Sequence, residues 1–290
     1  QGTVVEGKVM TFGEFTEIWK RDYGSKELAP GTYRRYLSML ESRILPYLSH
    51  FRLDKLRPTD IMKFYDLLEK DTQIVRQKNN NGKKTKKPLS QKTILEHHRL
   101  IRAMLHKAVY WQLLYSNPCE RVQPPKTRKP KRRYYDDEQC KTLISGLNEL
   151  SADEIKYKVA IILTIFTGVR LGELLGLEWS DIDFNKKLLY IRKTVYSIKK
   201  DNQYKMVIDK PKTIKSNRVI PIPDKLLELL ISSKKYSKSK YVITTNKNKM
   251  VETRSYQRSF KSILNKCNID GFISTLDKLI NYDNKYKNIV

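Results

Sequence analysis

At 290 residues the chain has room for roughly two domains, and 58 Lys+Arg against 31 Asp+Glu give it a formal charge of +27. Such an excess attracts phosphate polyanions, with an anionic membrane surface as the competing partner. No apolar run reaches about 18 residues, which excludes a transmembrane helix, and no N-terminal segment has the layout of a signal peptide. Cys119, Cys140 and Cys267 are widely separated and odd in number, which points to free thiols in a reducing cytosol, and the four histidines lack zinc spacing with them.

Residues 10 to about 117 read as mostly helical. Thr11 can cap a helix carrying Phe12, Phe15, Ile18 and Trp19 on one side. Pro30 opens a second, with Tyr33, Tyr36, Leu37, Leu40 and Ile44 at helical spacing. A turn through Arg57-Pro58 leads to a third, through Ile61, Phe64, Leu67 and Leu68. Ser90 can cap a long fourth helix that turns Ile94, Leu95, His98, Ile101, Leu105, Ala108 and Val109 inward, and Asn117-Pro118 stops it. Four helices with short connections predict a compact bundle.

Two basic segments interrupt this pattern. Gln77 to Lys87 is polar, rich in Asn and Lys and without periodicity, which predicts a solvated loop. Glu120 to Arg133 holds Pro124, Pro125 and Pro130, which forbid a helix and favour an extended tether. Seven of its fourteen residues are Lys or Arg, among them Lys126, Arg128, Lys129, Lys131, Arg132 and Arg133. A tether of this charge can neutralise phosphates along a nucleic-acid backbone, although a solvated hinge has the same composition.

From residue 134 the pattern is mixed. Asp136 or Asp137 starts a helix through Cys140, Leu143, Ile144 and Leu147, and a second apolar helix spans Ile155–Phe166. Short strands follow at Leu188–Arg192, Val195–Lys199, Lys205–Ile208 and Arg218–Ile222, with Asp201-Asn202 as a turn. A helix after Pro223-Asp224, a short strand Tyr241–Thr244 and a basic helix Thr253–Cys267 complete the order. The fold class expected is mainly α with a small antiparallel β-sheet.

The most informative string is Thr167-Gly168-Val169-Arg170-Leu171-Gly172-Glu173-Leu174-Leu175-Gly176-Leu177-Glu178-Trp179. It delivers Arg170 at a turn between two helices, flanked by glycines that let backbone pack closely. An arginine so near a core calls for an anion. Glu173 and Glu178 are the ordinary candidates. The second string is Pro211-Lys212-Thr213, which leads through Ser216-Asn217-Arg218 to Val219-Ile220-Pro221.

Together these strings resemble the arginine box and the lysine hairpin of the tyrosine recombinases, the phage and transposon integrases, over residues 9 to 275. The resemblance implies a helical, SAM-like core-binding domain (10–118), a linker (119–133) and an α+β catalytic domain (134–290), incomplete at its C-terminus. Residues 1–9 would be a connector from an arm-binding domain. It implies double-stranded DNA as partner, self-association on DNA in the complete family form, and cleavage through a 3′-phosphotyrosine. Arg170 would grip the scissile phosphate, Lys212 would protonate the leaving 5′-oxygen, and Glu173 would support the arginine. No metal or other cofactor is implied, because a tyrosine and fixed cations do that work. The setting implied is the cytoplasm of a bacterium, with the gene bacterial or phage-borne.

The resemblance stops before the end. Leu276-Asp277-Lys278-Leu279 stand where the family carries His-x-x-Arg, and no histidine follows His106. Tyr282 and Tyr286 lie in a polar tail and read as surface residues, and the tail has the look of a frameshift or early stop. The expectation is therefore a DNA-binding chain that lacks cleavage. The alternative is a non-enzymatic DNA-binding protein, a competitor or accessory factor of such a recombinase, and a topoisomerase is a weaker third reading.

Overall fold

The computed structural model describes residues 10–76, 84–127, 136–151, 154–200, 203–209 and 217–269. The chain divides into two compact units, Gln1–Pro130 and Lys131–Val290, each around its own apolar core.

In the first unit, α1 (Phe12–Trp19) begins at Thr11. The Thr11 hydroxyl accepts from the Glu14 N–H at 3.1 Å, and the Glu14 carboxylate accepts from the Thr11 N–H at 2.8 Å, so two orphan donors are satisfied reciprocally. A π turn, Lys20–Gly24, leads into the short α2 (Ser25–Glu27). The helix opened by Pro30 comes in pieces: α3 (Pro30–Met39), a π turn at Leu40–Ile44, then α4 (Leu45–Leu48). Pro46 supplies the reason. Its ring crowds the carbonyl four residues back, and the Leu45 N–H reaches instead to the Leu40 carbonyl, five back.

α5 (Pro58–Lys70) buries Ile61, Phe64 and Leu68, but Leu67, expected inward, is 46% exposed. α6 (Gln91–Tyr110) is capped by Ser90 and buries Ile94, His98, Ile101, Leu105 and Ala108 as expected. It also buries His97, Leu100 and Met104, while Leu95 and Val109 are only half-buried. It ends at Tyr110, short of the stop read at Asn117-Pro118. Gln112 takes the left-handed conformation, with φ 60°, and the N–H groups of Gln112 and Leu113 return to the carbonyls of Val109 and Ala108. This is a Schellman closure with glutamine where glycine is usual, so no local residue announces it.

The polar segment read as loop is in part a ribbon. β1 (Thr72–Arg76) pairs antiparallel with β2 (Lys84–Pro88), in register Thr72↔Pro88 to Arg76↔Lys84, and residues 77–83 lie outside the described residues. A two-stranded ribbon is held by backbone hydrogen bonds and needs no apolar alternation. The connector also starts later than its composition indicates: Pro118–Arg121 form a 3-10 turn, and Cys119 and Val122 are buried in the first core.

Two histidines in this core give it a pH dependence. Burial holds both His97 and His98 below the ordinary imidazole value of 6.5. His97 Nδ1 lies 2.8 Å from the Thr93 carbonyl and His98 Nδ1 lies 2.7 Å from the Tyr65 hydroxyl. A histidine whose folded pKa is depressed binds protons first in the unfolded chain. Its stabilising contribution is therefore complete above 6.5 and is lost as pH falls from there through the depressed folded value. The midpoint of thermal unfolding of the first unit should drop between about pH 7 and pH 5. A His97→Gln/His98→Gln double variant should show a flatter profile; an equally steep one would assign the acid sensitivity to other groups.

In the second unit, α7 (Asp137–Asn148) is capped by Asp136, whose carboxylate accepts from the Gln139 N–H at 2.8 Å. α8 (Ile155–Thr167) buries an unbroken run from Val159 to Thr164, as its apolar sequence requires. The short α9 (Leu171–Leu175) follows. The strands form two small antiparallel sheets where one was expected. β3 (Ile182–Asp183), β4 (Leu188–Ile191) and β7 (Arg218–Pro221) make one sheet, in that order. β5 (Thr194–Lys200) and β6 (Gln203–Asp209) make a separate ribbon. Between β4 and β5 the Lys193 ammonium is held 3.0 Å from Glu178 and 3.1 Å from Asp181.

α10 (Asp224–Tyr236) and α11 (Thr253–Lys266) occupy the expected positions. Tyr241–Thr244 is not a strand: only isolated bridges form, Glu178↔Tyr241 and Thr244↔Met250. The fold class is thus as expected, mostly helical with small antiparallel sheets.

Candidate functional site

The arginine turn is built by the residues on either side of it. Gly168 ends α8 in the left-handed conformation, with φ 64°, and its N–H bonds back to the Thr164 carbonyl at 2.9 Å. Arg170 then lies extended as the N-cap of α9. Gly172 faces β5 so closely that a Cβ would come within 2.5 Å of Thr194 Oγ1 and 2.7 Å of the Val195 carbonyl oxygen. Leu171, Leu174, Leu175 and Leu177 are all buried and fix the turn to the core.

The side chains depart from expectation in an instructive way. Arg170 starts beside the core but points out of it: its side chain is 64% exposed. Glu173 is the buried member, with a side chain only 3% exposed. Of the two candidate partners, Glu173 is the one used. Its Oε1 accepts from Arg170 Nη1 at 3.0 Å, and its Oε2 accepts from the Arg170 backbone N–H at 2.9 Å. Glu178 is engaged elsewhere, with Lys193 and Lys240.

A third residue completes the cluster, and sequence reasoning assigned it no role. Arg218, the first residue of β7, donates from Nη1 to Glu173 Oε1 at 3.1 Å and from Nη2 to Oε2 at 2.7 Å. It reaches Glu173 across 45 residues of sequence because β7 pairs with β4, where Arg218 sits opposite Ile191. No short-range pattern carries that information. Burial by itself pushes the Glu173 carboxyl up, but hydrogen bonds from Arg218 and from the backbone and side chain of Arg170 outweigh it and hold the group below the ordinary carboxylate value. The cluster is two guanidiniums on one buried carboxylate, so it keeps an excess positive charge on its exposed side.

The other expected site residues are distributed differently. Lys212 lies outside the described residues, as do Arg128, Lys129, Lys131, Arg132 and Arg133 of the tether, Leu276–Leu279, Tyr282 and Tyr286. Lys126 is described and exposed, in chain without regular structure. α11 buries Tyr256, Phe260, Ile263 and Leu264 and exposes Arg254, Arg258 and Lys261 on its other side. Among the described residues, no group of three or more His, Cys, Asp and Glu side chains could hold a metal ion, and no helix is long and apolar enough to cross a membrane.

Comparison with known proteins decides the family. A model described as "Phage integrase family" matches residues 133–277, half of the chain, and one described as "Phage integrase, N-terminal SAM-like domain" matches residues 11–68. The chain belongs to the phage integrase family. The arginine turn and its buried glutamate lie inside the longer match.

Relatives in this family include a protein named tyrosine recombinase XerC-like from Caldanaerobacter subterraneus, 26% identical over 92% of this chain and 70% of its own length. The ICEBs1 integrase of Bacillus subtilis is 35% identical over 49% of this chain, which corresponds to 37% of that protein. Among solved structures, the Tn1549 transposon integrase in complex with a circular intermediate DNA has a TM-score of 0.72 at 18% identity, covering 93% of this chain and 84% of that one. At that identity the likeness is one of fold.

Proposed function

We propose that this chain is the DNA-engaging part of a site-specific tyrosine recombinase and binds duplex DNA through both units. The observation that carries this reading is the exposed Arg170 head, fixed at the family's arginine turn by a buried Glu173 that is itself held by Arg218. A guanidinium fixed in this way presents its remaining N–H donors outward, the arrangement that binds a phosphodiester oxygen. In this role Arg170 offsets charge on the phosphorane-like transition state, Lys212 delivers a proton to the leaving 5′-oxygen, and Glu173 orients Arg170. The tether residues Lys126, Arg128, Lys129, Lys131, Arg132 and Arg133 lie along the DNA backbone and join two bound units. The basic face of α11 supports the same reading, and the related structure is an integrase on DNA. Self-association on DNA and a bacterial cytoplasmic setting belong to this reading.

The alternative is a DNA-binding protein with no cleavage of its own. It is favoured by Leu276-Asp277-Lys278-Leu279 at the position of the family's second phosphate-binding box. Both readings require DNA affinity dominated by phosphate contacts. Fluorescence anisotropy with a labelled duplex should show affinity falling by about 10³-fold or more between 50 and 200 mM salt, as counterions are released from six or more phosphates. A flat salt dependence would remove both readings.

A further inference from the structure

We propose that Arg218 is a positioning residue for Arg170, acting through Glu173. A carboxylate has about four lone-pair sites, and Glu173 has four donors: Arg170 Nη1 and Arg218 Nη1 on Oε1, the Arg170 backbone N–H and Arg218 Nη2 on Oε2. Arg218 supplies half of them, as a two-pronged fork that fixes the plane of the carboxylate. That plane decides whether Glu173 can hold the backbone of Arg170 and its head at once.

The two arginines differ in what anchors them. Arg170 sits on a turn and is 64% exposed, and among the described residues the salt bridge on its head is with Glu173. Arg218 is 28% exposed and begins a strand paired along its length with β4. The ordering of Arg170 is thus transmitted from the sheet, through Arg218 and Glu173, and not from the arginine turn alone. A site built on a regular element is held more tightly than one held by a loop. The same strand follows the segment that contains Lys212, so one residue ties the arginine turn to the strand that leaves the lysine segment. Lysine cannot replace Arg218 in this role, because an ammonium is a point charge without the planar fork.

The effect on DNA rests on the functional reading above; the effect on Arg170 itself does not, and the experiment separates them. Arg218→Lys and Arg218→Gln are made in the full chain with ¹⁵N-labelled arginine, and the Arg170 side-chain resonances are assigned by Arg170→Lys. Without DNA, the native protein should show hindered rotation of the Arg170 guanidinium, and both Arg218 variants should show it averaged. Should Arg218→Gln fail to fold, Arg218→Lys, which keeps the charge, still gives the answer. With a labelled duplex, Arg218→Lys should weaken binding by roughly tenfold in the native background and less than about twofold in the Arg170→Ala background, because the two residues act as one unit. An unchanged Arg170 spectrum overturns the proposal. So do additive losses in the double variant, which would make Arg218 a DNA contact in its own right. Averaged resonances in a protein without DNA affinity support the positioning role and dismiss the DNA reading.

Discussion

Glu173→Ala should destabilise the second unit far more than Arg170→Ala. Removing the carboxylate leaves the partly buried Arg218 without its acceptor and takes the side-chain cap from the Arg170 backbone N–H. The 28% exposed Arg218 guanidinium and a backbone N–H lose their shared acceptor, which costs about 2 to 3 kcal/mol and corresponds to a fall of roughly 5 to 10 °C in unfolding midpoint for a unit of this size. Arg170→Ala deletes an exposed head and leaves Glu173 bonded to Arg218, so its cost should stay below about 1 kcal/mol. The same substitution should weaken engagement of DNA phosphate. Differential scanning calorimetry of the two variants gives the comparison. Equal losses would make Arg170 a structural residue, and a large drop for Arg170→Ala with an unchanged DNA footprint would remove it from the proposed site.

A nicked duplex, or one with a bridging phosphorothiolate, should leave this 290-residue polypeptide without a covalent DNA adduct. The step needs a tyrosine oxygen held beside the phosphate and cations around it. In the proposed reading, Arg170 and Lys212 would be two of those cations. The sequence contains no histidine after His106, and Tyr282 and Tyr286 come only a few residues after Leu276-Asp277-Lys278-Leu279. Groups that act as a unit are strongly non-additive, and loss of one can lower kcat by about 10⁴ to 10⁶. A band that survives denaturant and disappears in Tyr282→Phe or Tyr286→Phe would show instead that this chain carries its own nucleophile.

The sequence by itself determined the features that are local. Thr11, Ser90 and Asp136 start helices because an oxygen two or three residues ahead of an orphan N–H is a short-range relation. The apolar run of α8 and the Gly168–Gly172 turn place Arg170 for the same reason: a left-handed glycine and buried leucines at helical spacing are written in consecutive residues. These strings were also enough to indicate the family. The fine structure of the helices was less legible. The glutamine closure of α6 and the Lys84–Pro88 strand are backbone hydrogen-bond arrangements that ordinary residues accept without advertising them, whereas the π turn at Leu40–Ile44 has its signal in Pro46.

Only the tertiary structure decided what Arg170 does with its charge. Its position beside the core suggested a buried arginine seeking an anion, whereas the buried group is Glu173 and the arginine faces solvent. Glu173, at the third position of α9, meets both the backbone and the head of Arg170, whereas Glu178 pairs with Lys193 and Lys240. Arg218 enters the cluster through strand pairing, Arg218 opposite Ile191, and pairing between segments distant in sequence is set by which side chains fill the common core. A pattern read along the chain reports which residues can form a turn or a face; which of two acids is buried, and which distant arginine fills its last lone pairs, is settled when the sheet and helices close around them.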